Sequence, residues 1–253
     1  LNLNICYFVH GYRFHTKVKL FYRIIFFSIE YFLSVNTKKY IVINSEDMKY
    51  TKKYFSKNFL YLKGIGIDLI KKTIPSKNIT NSLQIGVIAG YKKIKGYDDI
   101  IYVANKLKKN ENIHFHTFGY ENNNKYKKII KKLKLKNIKM NNFVKEIYNE
   151  IDKFDILLHL SRREGLSTVT LQSLHRGVPV IGYNIRGMRD LIINTYNGIL
   201  INFADPEKVI QVINFIYENK HLYYSMHKQA SRSIDQTFSK DHSAKSILKY
   251  LNL

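Results

Sequence analysis

The sequence predicts an α/β protein built on a doubly wound parallel sheet, and three observations carry that prediction. From residue 83 onward, short apolar runs alternate with longer stretches of helical spacing. Residues 155–183 read as one strand–loop–helix–strand unit, in which the apolar runs at either end suit parallel strands covered on both faces. Glycine and proline fall where that unit must stop: Gly177 suits a left-handed helix cap, and Pro179 forbids continuation.

Taken in order, residues 6–9 form a short apolar strand that runs into His10-Gly11. Residues 18–35 follow as a helix on which Lys19, Arg23, Glu30 and Ser34 share one stripe, the remaining surface being Phe, Ile, Leu and Tyr. So wide an apolar face suits burial in a core, the reading adopted here, or a position in a membrane interface. Its longest uncharged run is shorter than the roughly 20 residues that span a bilayer. A strand at 40–43 leads to Ser45-Glu46-Asp47, a plausible helix cap, and a helix through Phe55. A third strand covers 59–62, and residues 69–81, with Pro75, read as a linker. The division expected is therefore a first domain and linker over 1–80 and a second domain over 81–253.

The second domain opens on a strand from residue 83 that enters a lysine-rich loop near Gly90. A helix at 97–107 and a strand at 113–118 come next, then a helix with Tyr126, Ile129, Ile130 and Leu133 beneath a dense lysine run. Ile147 and Ile151 mark another helix before the strand at 155–160, and the helix at 168–175 precedes a strand at 178–183. After a strand at 199–201 the chain is helical, with Pro206 in a first turn and Val209, Val212, Ile213 and Ile216 on one face.

Composition narrows the function less. The hydrophobic fraction of 45% across 253 residues is that of an ordinary globular core. A single cysteine, Cys6, excludes an intramolecular disulfide and suits a reducing compartment. The formal net charge of +23 fits nucleic acid, an anionic membrane or anionic substrates, and also fits a Lys-, Asn- and Ile-rich bias with no functional content. No nucleic-acid-binding motif or aromatic stacking platform accompanies the charge, so nucleic acid is not the expected partner. The opening residues lack a signal peptide's features, and the chain begins with Leu.

Chemistry concentrates in residues 161–192, SRREGLSTVTLQSLHRGVPVIGYNIRGMRDLI. The loop before the helix carries Glu164, Gly165, Leu166, Ser167 and Thr168, at a helix N-terminus and beyond the carboxyl end of a strand. N–H groups and the positive end of a helix dipole suit a phosphate there. Glu-Gly-Leu, Gly-x-Pro-Val and Arg-Gly-x-Arg-Asp at these spacings resemble the donor-sugar motif of family 4 glycosyltransferases. HGYRF and YIVINSEDMKY resemble the later half of the first domain in their bacterial surface-polysaccharide members.

That resemblance implies a GT-B-like fold: one complete Rossmann-like donor domain and a partial acceptor-side Rossmann-like domain, whose earlier strands and glycine-rich loop have no counterpart here. It implies a retaining glycosyltransferase that uses a nucleotide-sugar donor, a lipid-linked saccharide acceptor, no metal and no cofactor. The setting implied is O-antigen, lipopolysaccharide, capsule or exopolysaccharide synthesis, cytoplasmic and peripheral at the inner face of the cell membrane. An anionic membrane surface is then a partner. By the same resemblance Glu164 contacts the donor sugar's hydroxyls, and the motif's second Glu, which holds the ribose, falls on Gln172. Lys95-Gly96 matches the diphosphate-binding Lys-Gly pair, while Gly90 stands where an Arg is usual, with Lys92 and Lys93 nearby. His10 matches a residue that faces the donor, and together with Lys95 and Glu164 makes up the catalytic set. With only part of a first domain, the expectation is a chain that binds donor but transfers sugar weakly, a non-catalytic remnant being the alternative.

Overall fold

The computed structural model describes residues 5–14, 18–70, 82–120 and 124–253. The expected linker lies, from residue 71 to 81, outside the described residues. The chain divides into two compact units. The first comprises Leu1–Asp68, Glu164–Thr168 and Gln236–Leu253; the second comprises Leu69–Arg163 and Val169–Asp235.

The first unit is built on a parallel sheet of order β1-β2-β3, with β1 at Ile5–Val9, β2 at Thr37–Val42 and β3 at Phe59–Tyr61. On one face Val9, Tyr12, Phe14, Tyr40 and Val42 form a buried cluster. On the other, Ile41, Ile43 and Leu62 gather Leu166 and, from helix α9 (Lys240–Leu251), Ile247 and Tyr250. Helix α2 (Ser45–Tyr50) is capped by Asn44, not by Ser45: the fully buried Asn44 accepts from the Asp47 N–H at 2.8 Å and donates to the Asp47 carboxylate at 2.6 Å. This reciprocal pair satisfies an otherwise orphaned helix donor, which Ser45, already in helical geometry, cannot do. The helix runs to Phe55 as expected, but its last part, Thr51–Phe55, widens into a π-helix closed by Ser56 N–H to Thr51 C=O at 2.9 Å.

Helix α1 (Leu20–Ser34) overturns the expectation of burial, since none of its residues is buried. Phe26 and Phe27 pack on the sheet cluster. The polar stripe lies on this same inner side: Arg23, Glu30 and Ser34 are half-buried, and Glu30 accepts from the Tyr7 hydroxyl at 3.2 Å. Among the described residues no second layer covers the opposite side, so the wide apolar face looks outward.

The second unit is a six-stranded parallel sheet of order β6-β5-β4-β7-β8-β9. Its strands are β4 (Leu83–Ile88), β5 (Ile113–Phe118), β6 (Ile138–Asn141), β7 (Ile156–His159), β8 (Val180–Tyr183) and β9 (Gly198–Ile201). Helices α3 (Tyr97–Lys106), α4 (Asn124–Lys132), α5 (Ile147–Ile151), α6 (Thr168–His175), α7 (Pro206–Glu218) and α8 (Lys220–Ala230) connect and cover them. Ile85, Leu157 and Val180 on the strands, Ile100 and Val103 on α3, and Val209, Ile213 and Ile216 on α7 are buried to 1% exposure or less. Strand β6 is absent from the sequence reading; it is a four-residue edge strand just behind the lysine run, paired to β5 through Phe115 and Ile138. The chain starts in the middle of this sheet, at β4, and winds out one way through β5 and β6. It then returns to β7 beside β4 and winds out the other way. The order reverses at the β4/β7 pair, joined through Ile85–Ile156 and Gly86–Leu157, and a crevice outside the carboxyl ends of such a pair is where open α/β sheets place ligands.

Candidate functional site

Both strands at the reversal feed loops that the sequence reading singles out. After β4, the buried Gly90 accepts the Lys92 N–H at 2.7 Å, and Lys93–Lys95 form a single helical turn that closes with Lys95 N–H on Lys92 C=O at 3.0 Å. Lys92 is exposed and Lys95 half-buried. The turn ends at Gly96, with φ +80°, and α3 begins at Tyr97. A Cβ on Gly96 would lie 2.1 Å from the Leu160 carbonyl oxygen, so only glycine lets this loop rest directly on the end of β7. Two more bonds fasten the loops: Arg162 N–H donates to Ile94 C=O at 2.9 Å, and the Ser161 hydroxyl lies 3.4 Å from the same oxygen. Lysine charge is thus held at the carboxyl end of β4, on the flank of β7.

Residues that the sequence reading passed over hold this arrangement. Arg162 Nη2 donates to both Asp99 oxygens, at 3.1 and 2.9 Å, and the Tyr183 hydroxyl donates to Asp99 at 2.9 Å. Burial, reinforced by the Asp99 charge, pushes the Tyr183 hydroxyl pKa up, so it stays a neutral donor. Arg162 thereby ties the β7 loop to the first turn of α3. The signal in the sequence was Arg162-Arg163 directly before Glu164 at a strand end.

Behind the loop, α6 is positioned by its own C-terminal turn. Arg176 makes a fork-to-fork pair with Asp152, Nε to Oδ1 and Nη2 to Oδ2, both at 2.7 Å, and is 8% exposed. Gly177 takes the left-handed conformation at φ +74°, as its place in the sequence requires, and the Ser173 hydroxyl donates to Val178 C=O at 3.0 Å. Gln172 is half-buried in this helix.

The remaining candidates belong to the first unit. His10 is exposed at the end of β1, its ring stacked on Phe8 with centroids 4.6 Å apart. A Cβ on Gly165 would fall 2.1 Å from the His10 carbonyl oxygen, so the Glu164–Thr168 segment lies against the His10 backbone. Leu166 anchors that segment in the apolar cluster, Ser167 is buried, and Glu164 and Thr168 are half-buried. The candidates therefore fall into two groups: Gly90, Lys92, Lys95, Gly96 and Gln172 in the second unit, and His10 with Glu164, Gly165, Leu166, Ser167 and Thr168 in the first. Among the described residues no group of three or more His, Cys, Asp or Glu side chains is arranged to hold a metal ion.

Comparison with known proteins agrees with this fold. The family model described as glycosyl transferases group 1 matches residues 70–233, more than half of the chain. An uncharacterized 41.2 kDa protein in the cps region of Klebsiella pneumoniae is 27% identical over 150 residues, 58% of this chain and 40% of that protein. TarM from S. aureus, crystallised with UDP and alpha-GlcNAc-glycerol, superposes over 98% of this chain and 50% of its own, with TM-score 0.83 and 18% identity. HepE from Anabaena, in complex with UDP and glucose, superposes over 98% of this chain and 71% of its own, with TM-score 0.81 and 17% identity. The chain thus spans less than half of its curated relative and half of TarM.

Proposed function

This chain belongs to the glycosyl transferases group 1 family, and from that membership we propose that it moves a sugar from a nucleotide-sugar donor to a lipid-linked saccharide acceptor, with retention of configuration at the transferred carbon. The observation that carries the reading is the lysine loop of β4 locked onto the end of β7 at the reversal of strand order, with α6 following the β7 loop. In this reading Lys95 and Lys92 supply positive charge to the donor diphosphate. Gly90 replaces the usual Arg, so the bidentate fork is lost and lysine acts as a point charge. Gly96 keeps the backbone close, Thr168 and Ser167 offer the start of α6 to phosphate, and Gln172 accepts from the ribose hydroxyls. Glu164, backed by Gly165 and Leu166, orients the sugar, and His10 lies against the same segment.

The step is a substitution at the anomeric carbon. The bond from that carbon to the diphosphate oxygen breaks, a bond to the acceptor oxygen forms, and the acceptor's proton passes to the departing diphosphate. No protein nucleophile takes part; charge building on the diphosphate is stabilised by the lysines. The UDP complexes of TarM and HepE make uridine diphosphate sugars the first donors to try. The cps-region relative supports surface-polysaccharide synthesis as the setting; in this reading the transfer takes place at the cytoplasmic face of the membrane. Calorimetric titration with a panel of nucleotide sugars tests the reading. Lys95→Ala and Glu164→Ala should each cost about 1.5–3 kcal/mol of donor affinity, the usual loss for a charge-assisted contact. Unchanged affinity in both, with circular dichroism intact, would refute the assignment.

A further inference from the structure

Helix α4 and strand β6 meet around a groove of about 640 Å³ whose walls all come from residues 127–140 of the second unit. Its floor is aliphatic. Leu135 and Ile138 are 7% exposed, Ile130 and Met140 are half-buried, and among the described residues the lining holds no aromatic ring. Both rims are cationic. Lys127, Lys131 and Lys134 follow one another along α4 and its cap, and Lys136 and Lys139 stand on the β6 side. All five are exposed, and none pairs with a carboxylate among the described residues.

This charge is held here against the fold's own interest. Residues 124–140 contain eight lysines and no acid, and like charges four apart on a helix, as Lys127 and Lys131 are, repel. Helix α4 ends in a two-bond cap, Leu135 N–H to Ile130 C=O and Lys134 N–H to Lys131 C=O, both at 3.1 Å. Ile130 and Leu135, which such a cap brings together, make part of the floor. The left-handed position of the cap is taken by Lys134, at φ +51°, where glycine is the usual occupant and a side chain is strained. Lysines that only guard the free edge of β6 would account for Lys136 and Lys139. They leave unexplained a lysine stripe on the neighbouring helix and a lysine kept in glycine's conformation.

We propose that this groove is the docking site for an acidic amphipathic helix of a partner protein, its aliphatic stripe on the floor and its carboxylates on the lysines at either side. An apolar strip with positive charge on both flanks is the complement of such a helix. Lys127 and Lys134 are on the order of 10 Å apart along the helix axis, room for two turns of the incoming helix. Nucleic acid and acidic glycans match the charge but bring no aliphatic side chains to the floor. The floor also lacks a ring on which a base could stack. Met140, flexible and polarizable, lets the floor adapt to the side chains it receives.

The probe is a fluorescein-labelled peptide of about four helical turns, with Leu spaced three and four apart, Glu beside each Leu and Ala elsewhere. It is titrated with the 253-residue chain and read by anisotropy. The expected result is saturable binding that weakens as salt rises. A scrambled peptide of the same composition, and oligoglutamate of the same charge, should bind at least about tenfold more weakly, because neither presents an apolar stripe to the floor. Lys131→Gln with Lys134→Gly should weaken binding by about tenfold. The same pair should raise the urea midpoint, since glycine relieves the strained position and a like-charge repulsion goes. Lys52→Gln with Lys53→Gln in the first unit, an equal change in charge, should leave peptide binding unaltered. Equal binding of the scrambled peptide or of oligoglutamate would overturn the proposal, as would indifference to the Lys131/Lys134 pair. So would an oligonucleotide or phosphatidylglycerol vesicles that bind through those two lysines more tightly than the peptide does, or self-association that their loss abolishes. Donor titration should be the same in all of these variants, so the groove and the donor loops are tested apart.

Discussion

Replacing Gly96 with alanine tests the locked loop directly. The backbone there sits at φ +80°, and an L side chain held in the left-handed region costs about 1–2 kcal/mol. The new Cβ would also stand 2.1 Å from the Leu160 carbonyl oxygen, against the 3.0 Å below which real contacts essentially never fall. That oxygen is backbone at the end of a central strand, so it cannot swing aside; the loop must lift by about 1 Å, and overpacking of this kind costs about 1–3 kcal/mol. Together the two effects remove about 2–5 kcal/mol, a large share of the roughly 5–15 kcal/mol that stabilises a domain. Urea unfolding followed by circular dichroism measures the loss, and donor titration shows whether Lys95 has been carried off its position. Gly96→Asn separates the two causes. Asparagine tolerates the left-handed conformation but keeps the Cβ, so it should recover little. A Gly96→Ala midpoint equal to that of the parent would refute the close approach. Full recovery in the Asn variant would refute the dominance of the carbonyl contact.

Three further outcomes follow from the same structure. Arg176→Ala leaves the Asp152 carboxylate without its fork partner in a mostly buried place, and should cost about 3–5 kcal/mol in a denaturation assay; the double change with Asp152→Ala should cost less than the single one. His116 has its pKa lowered, by burial first and by the neighbouring His114 and Lys139 charges next. It therefore stays neutral in the fold at a pH where the unfolded chain's imidazole is protonated, and its contribution is complete above about pH 6.5 and lost as pH falls through its lowered value. Replacing it with Gln should flatten that part of the stability profile. Gln172→Glu should tighten nucleotide binding by restoring a charged acceptor to the ribose hydroxyls; a clear loss in titration would give Gln172 a different role.

How much of this could be read in advance depended on where the deciding contact lay. Gly177 and Pro179 mark the end of α6 because a helix stop is a local event of backbone angles, and the alternation of strand and helix beyond residue 83 is local too. Strand β6 escaped notice because Lys139 and the lysines before it mask a four-residue edge strand, which needs only one covered face. The α2 cap was placed one residue late, since Asn44 shows its role only through the buried Asp47 facing it. For α1, periodicity gave the width of the apolar face but could not say which side would meet the sheet. Phe26, Phe27 and the Tyr7–Glu30 bond decide that, and Tyr7 lies 23 residues away. The site divides in the same way. Lys95-Gly96 and Glu164-Gly165 stand out as adjacent pairs, whereas Arg162–Asp99–Tyr183 is assembled from three distant segments, of which only Arg162-Arg163 before Glu164 leaves a mark along the chain.

The segmentation of the first unit sets an order of events during synthesis. Its sheet is translated by Tyr61, yet Tyr250, which accepts the Tyr40 N–H and donates to Asn58 C=O, arrives only after the whole of residues 69–235 has been made. Until then Ile41 and Ile43 lack Ile247 and Tyr250 above them. Closing a contact across so long a stretch costs loop entropy, which falls once that stretch has become a folded insert. The second unit therefore matures first, and β2, though translated before it, is among the last elements to become protected. In a pulse of hydrogen exchange on nascent chains, β4 and β5 amides should slow while those of β2 still exchange.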